Sequence, residues 1–149
     1  MSRVALLDVN VLVALFDPDH VHHDLAHDWF GDHGRGGWAT CPLTENGFVR
    51  IVSNMARRGE FMPIADVAAI LGKFCASGRH TFWPAGISLQ NDKLFDLSLV
   101  RGHRQLTDVY LLGLAVARGG RLVTFDRGIS LGAVKRARRQ HLEVIGAAA

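Results

Sequence analysis

Two short apolar runs, each closed by an aspartate, set the strongest limit on how this chain folds. Residues 4–7 read VALL and are followed by Asp8; residues 121–125 read RLVTF and are followed by Asp126. Runs this short and this apolar suit strands buried on both faces. A strand buried on both faces needs helices above and below it, so the remaining sequence must supply them.

The periodicity predicts those helices. Asn10 can cap one that carries Leu12, Leu15 and Phe16, and Val21, Leu25 and Trp29 recur at every fourth position to predict a second. The glycine-rich stretch 34–37 stops it, and residues 38–41 suit a short strand. Pro42 fits the first turn of a third helix reaching about Asn54, and Pro63 precedes a fourth with Val67, Ile70, Leu71 and Phe74 on one face. Residues 81–83 suit a strand and 92–101 a helix. Thr107 is a candidate N-cap for a helix over 108–118, which Gly119 and Gly120 end, and residues 142–145 suit a last strand. Alternating strands and helices predict a three-layer α/β/α domain, one domain over residues 1–149, around a mostly parallel sheet.

Four acids stand at informative places in that plan. Asp8 and Asp126 follow strands, so both fall at the carboxyl edge of the sheet, where open α/β folds bind ligands. Glu45 and Asp108 lie in the first turns of helices whose N-termini face the same edge. Glu45 shares a helical face with Phe48, Val49 and Val52, and Asp108 with Leu111, Leu112 and Ala115, so both point towards packed protein. Gathered carboxylates repel one another and resist burial. A hard divalent cation with all-oxygen ligands, Mg²⁺ or Mn²⁺, offsets both costs. Singly, each acid also has a structural reading: Asp108 and Glu45 as helix-dipole residues, Asp126 as a turn former before Arg127 and Gly128.

The four motifs VALLDVNVLVALFD, TENGFVRI, LTDVYLLGLAV and LVTFDRGI together resemble the PIN-domain ribonucleases, in particular the VapC toxins of bacterial toxin–antitoxin pairs. The resemblance runs from Val4 to Ile129, with residues 55–100 adding little. It implies a PIN-like fold and Mg²⁺- or Mn²⁺-dependent cleavage of RNA phosphodiesters, with tRNA or ribosomal RNA as target. It also implies a VapB-like antitoxin as partner and a homodimer. Asp8, Glu45, Asp108 and Asp126 match the family's acidic quartet, Asp8 and Asp108 as principal metal ligands. Asn10, Thr107 and Thr124 match its supporting polar positions. Arg50, on the helix of Glu45, and Arg127, next to Asp126, are candidate RNA contacts, with solvated surface arginines as the alternative.

Charge and composition fit that reading without demanding it. Fourteen of the 17 basic residues are arginine, the side chain suited to bidentate phosphate contacts. The segment before Gly34 is acidic instead, and five of the eight histidines fall within DPDHVHHDLAHDWFGDH, read as an exposed acidic helix face rather than a metal motif. The basic run Lys135, Arg136, Arg138 and Arg139 reads as solvated surface, and Trp38 and Trp83 as core rather than base-stacking platforms. No stretch is long and apolar enough to span a bilayer, which takes about 20 residues, so a soluble cytoplasmic protein is expected. Cys41 and Cys75 have no CxxC partner and read as reduced thiols. A dehalogenase-type phosphatase needs an acid where Asn10 stands, and a P-loop NTPase needs a GxxxxGK[ST] motif that is missing. The remaining alternative is a non-catalytic PIN-like module that binds RNA or protein.

Overall fold

The computed structural model describes residues 4–57 and 59–146. Its elements run β1 (Ala5–Leu7), α1 (Val9–Phe16), α2 (His23–His33), β2 (Trp38–Thr40), α3 (Pro42–Ser53), β3 (Ala56–Arg57), β4 (Glu60–Phe61), α4 (Ile64–Ala76), β5 (His80–Phe82), α5 (Leu106–Ala117), β6 (Arg121–Thr124) and β7 (Leu142–Val144). Five strands form one wholly parallel sheet in the order β5-β2-β1-β6-β7, and β3 and β4 make a separate antiparallel hairpin.

The alternation of side chains along the strands builds two cores. Ala5, Leu7, Trp38 and Val123 face a layer formed by α1, α2, α3 and α4. Leu6, Ala39 and Leu122 face the opposite way, onto α5 and the irregular segments near residues 83–95 and 129–134. This is the period of 2 expected for strands covered on both sides. Trp38 and Trp83 are both core residues, as the sequence suggests.

The strand order reverses at β1. The chain moves outward from β1 through β2 to β5, then returns to place β6 on the other side of β1. The crevice above β1 and β6 is therefore the topological switch point, the place where open parallel sheets bind ligands.

Four sequence expectations are corrected. Asp8, not Asn10, caps α1: its side chain accepts from the Val9 N–H at 2.7 Å, and Asn10 is exposed within the helix. Val21 precedes α2 and is exposed, because the turn at residues 17–22 delays the helix start to His23. Thr107 is not a cap either. A 3₁₀ turn at His103–Gln105 runs straight into α5, so Thr107 lies exposed in its first turn.

The helix expected over residues 92–101 is absent, for two reasons. Asn91 and Asp96 side chains accept from the N–H groups of Lys93 and Ser98, local bonds that compete with a helix. The backbone of Leu94 and Asp96 also pairs with Lys135 and Ala133, and Phe95 forms an antiparallel bridge with Val134. Tertiary pairing thus captures the groups a helix would need.

Three of the histidines in the acidic segment have structural work. Ring nitrogens of His23 and His27 lie 2.7 Å and 2.9 Å from the carbonyl oxygens of Ala14 and Leu15 in the last turn of α1. Those carbonyls have no acceptor role left inside the helix, so the two rings, 4.3 Å apart, cover its end. His22 stacks on Phe125 at 4.5 Å, just before Asp126.

Gly120 sets how closely β6 starts beside β1. A Cβ there would stand 2.5 Å from the Val4 carbonyl oxygen and 2.6 Å from the buried Trp83 ring. The backbone oxygen cannot swing aside, because it accepts the Arg121 N–H at 3.0 Å. Gly120→Ala is expected to destabilise the fold by about 1–3 kcal/mol, the usual cost of overpacking. Urea denaturation checks this; an unchanged midpoint would contradict the close packing described.

Candidate active site

Asp8 is the centre of the switch-point crevice. It follows β1 directly, is 5% exposed, and its backbone N–H donates to Val123 on β6. One carboxylate oxygen caps α1, and the other accepts from the Thr124 hydroxyl at 2.7 Å. Thr124, the last residue of β6, also accepts the Asp126 N–H at 3.0 Å, which fixes where the chain leaves the strand. Thr124 thus contacts two of the acids.

Asp126 is exposed, and its side chain accepts the Gly128 N–H at 2.7 Å. The turn-forming role read from sequence is therefore real. It coexists with closeness to the other acids, because the charge of Asp126 raises both Asp8 and Asp108. Asp108 reaches the crevice from the first turn of α5, where the helix dipole favours its ionised form. Burial overrides that preference. Together with the charges of Asp8 and Asp126, it pushes Asp108 up to about 7. Asp8 is also raised, by burial first, with Thr124 and Val9 acting against it and Asp126 adding to it.

Glu45 does not join the three aspartates in this arrangement. It lies at the same sheet edge, one strand across, but its carboxylate accepts from the hydroxyl of Thr40, the last residue of β2, at 2.7 Å. Nε2 of His80 lies 2.8 Å from that hydroxyl, and the Cys75 sulfur lies within 4.8 Å of the Glu45 and His80 ligand atoms. Burial raises the thiol pKa, as does Glu45, while burial lowers that of His80. Sequence reasoning missed Thr40, Cys75 and His80. The pairing of β2 with β5 and the packing of α3 on α4 bring them together from three separate segments.

The remaining sequence candidates are all exposed. Arg50 is exposed near the end of α3, about 7.5 Å further along the axis than Glu45 at 1.5 Å per residue. Arg127 is turned away, its guanidinium donating to the Gly146 carbonyl at 3.1 Å. Asn10 and Thr107 are exposed in the first turns of α1 and α5, the helices that carry the crevice.

The donors in the crevice are hard carboxylate and hydroxyl oxygens. That donor set fits Mg²⁺ or Mn²⁺. The three aspartates are more widely spread than a closed cage: among the described residues, the set of three metal-capable groups within 4.8 Å of one another is Glu45, Cys75 and His80.

A parallel five-stranded sheet with aspartates gathered at its switch point defines a PIN-like α/β/α domain. No sequence-family model matches the chain. Individual relatives do. The chain is 44% identical over 141 residues to ribonuclease VapC44 of Mycobacterium tuberculosis strain H37Rv, covering 95% of this chain and 99% of that one. It is 48% identical over 126 residues to ribonuclease VapC38 of the same strain, covering 85% and 87%. The chain belongs to the VapC ribonuclease toxins. The crystal structure of Mycobacterium tuberculosis VapC20, a Sarcin-Ricin loop cleaving toxin, shares the fold with a TM-score of 0.61 at 14% identity, over 90% of this chain and 98% of that one.

The raised Asp108 makes a testable link to stability. An acid whose folded pKa exceeds its unfolded value holds its proton more tightly when folded. Stability of the metal-free protein should therefore fall as pH rises from about 4 to about 7, then level off. Asp108→Asn removes this term. The variant should melt above wild type at pH 8 in EDTA, with the difference shrinking towards pH 4. Parallel melting curves across that range would show that the acids do not repel as described.

Proposed function

We propose that this chain is a Mg²⁺- or Mn²⁺-dependent endoribonuclease of a single domain, the toxin of a VapBC-type pair, acting on tRNA or ribosomal RNA. The observation that carries the reading is Asp108, pushed up to about 7 by burial and by the charges of two further aspartates beside it. When bound, the ion neutralises the phosphodiester and lowers the pKa of a bound water. Asp8 and Asp108 are the residues to hold it, with Asp126 and Glu45 completing the set.

The protein's own part is positioning and proton handling. Thr124 and the Val9 N–H each engage one oxygen of Asp8, so its carboxylate keeps one orientation. Asp126, tied to Gly128, presents its carboxylate from a fixed turn. One of the four acids takes up the proton as water attacks phosphorus. Glu45 would join by releasing Thr40, a side-chain rotation at the start of α3.

The test is cleavage of purified RNA in Mg²⁺ with and without chelator. Asp8→Asn and Asp108→Asn should each cut the rate by more than about a hundredfold, since loss of even an outer-shell partner of a metal costs roughly 10–100-fold. Asn preserves shape and removes charge, so circular dichroism should be unchanged. Full cleavage by both variants, or binding of RNA with no cleavage by wild type, would favour a binding module instead.

A VapB-like antitoxin and self-association complete the proposal. The negative crevice suits a basic antitoxin side chain that competes with metal. Sedimentation of the toxin alone should give a dimer, and addition of the antitoxin a larger complex. A monomer at micromolar concentration, unchanged by the antitoxin, would refute both.

A further inference from the structure

Glu45, Cys75 and His80 come from α3, the end of α4 and the start of β5, and their ligand atoms lie within 4.8 Å of one another. One carboxylate, one thiol and one imidazole make a mixed O, S and N set. That set suits a borderline-soft ion of the zinc class and is a poor match for Mg²⁺. Its second shell is already in place. The Thr40 hydroxyl, fully buried, donates to Glu45 and lies 2.8 Å from His80 Nε2, so it holds these two groups side by side. The His80 ring is further fixed by packing against Trp38, with centroids 4.7 Å apart.

The cluster is also reachable. A cavity of ≈ 460 Å³ between α3 and α4 is lined by Glu45 and Cys75 together with Pro42, Asn46, Val49 and Gly72. All three ligand residues are half-buried, which leaves a path for an ion while limiting competition from water. Three protein ligands leave a fourth position open, the arrangement of a reactive or exchangeable zinc site rather than a closed structural one.

We propose that Glu45, Cys75 and His80 form a second cation site, for Zn²⁺ or an ion of its class, whose occupancy holds Glu45 away from the aspartates and slows RNA cleavage. On binding, the Cys75 thiol releases its proton to solvent and the thiolate ligates the ion. The carboxylate pose that ligates is the one Glu45 already has, turned to Thr40. The regulatory half rests on the reading of Glu45 as part of the nuclease site; the binding half does not.

The experiment has two arms. In the first, Co²⁺ is titrated into the purified wild-type chain as a spectroscopic probe, and Zn²⁺ is titrated against a colorimetric chelator. Wild type should show a thiolate-to-cobalt charge-transfer band that Zn²⁺ abolishes. Cys75→Ala should lack the band, and Cys75→Ala and His80→Gln should each weaken Zn²⁺ by more than the roughly 10–100-fold that losing an outer-shell partner costs. Absence of the band in wild type, or equal Zn²⁺ affinity in all three proteins, overturns the site. In the second arm, RNA cleavage in excess Mg²⁺ is followed as Zn²⁺ is added. Wild type should slow as the site fills, and Cys75→Ala should keep its rate over the same range. Equal slowing of both would place the inhibiting ion at the aspartates and overturn the regulatory half. Loss of Glu45's catalytic role would instead leave the cobalt band intact and remove the Zn²⁺ effect from wild type.

Discussion

The hydrogen bond from Thr124 to Asp8 joins fold and site in one contact. Asp8 is a nearly buried carboxylate, and such a group is tolerated only where its oxygens find donors. One donor is the first N–H of α1, the other the hydroxyl at the end of β6. The same residue donates its backbone N–H to β6. Registration of the two central strands, the start of the first helix and the aim of the first carboxylate are therefore fixed together. Asp126 follows from this, since Thr124 accepts its N–H.

A second threonine repeats the device one strand away. Thr40 ends β2 as Thr124 ends β6, and its hydroxyl donates to Glu45 as that of Thr124 donates to Asp8. The two differ in face. Thr40 has the strand parity of Trp38 and looks towards α3 and α4, whereas Thr124 has the parity of Leu122 and looks towards α5. The carboxyl edge thereby holds two chemically distinct neighbourhoods: hard oxygens above β1 and β6, and a mixed set beside β2 and β5. Glu45 belongs to the second in this arrangement.

Most of the architecture is readable from local pattern because the sheet is parallel. Strands buried on both faces are short and uniformly apolar, and the residue that ends each one is polar, so VALL-Asp8 and the β6 run announce themselves. The acids were legible for the same reason: position after a strand or in a helix's first turn fixes the sheet edge. What local pattern could not give is the rotamer of Glu45, which depends on Thr40, nor the company of Cys75 and His80, which depends on which helix and strand lie alongside. Residues 92–101 misled because their apolar spacing is helical while their backbone partners lie some 40 residues away, at 133–135. Thr107 misled because a good capping residue is indifferent to a preceding 3₁₀ turn.

The order of the strands also governs timing during synthesis. β1 is made first and lies in the middle of the sheet, but its neighbour β6 is made only after more than a hundred further residues. Until residues 121–124 emerge, Asp8 lacks the Thr124 hydroxyl, Asp126 does not exist, and one edge of β1 has no partner. β1, β2 and β5 are all made before residue 83, yet the aspartate crevice is complete only when the last fifth of the molecule arrives. For most of its synthesis the chain therefore lacks both the full set of aspartates and the hydroxyl that orients the first of them.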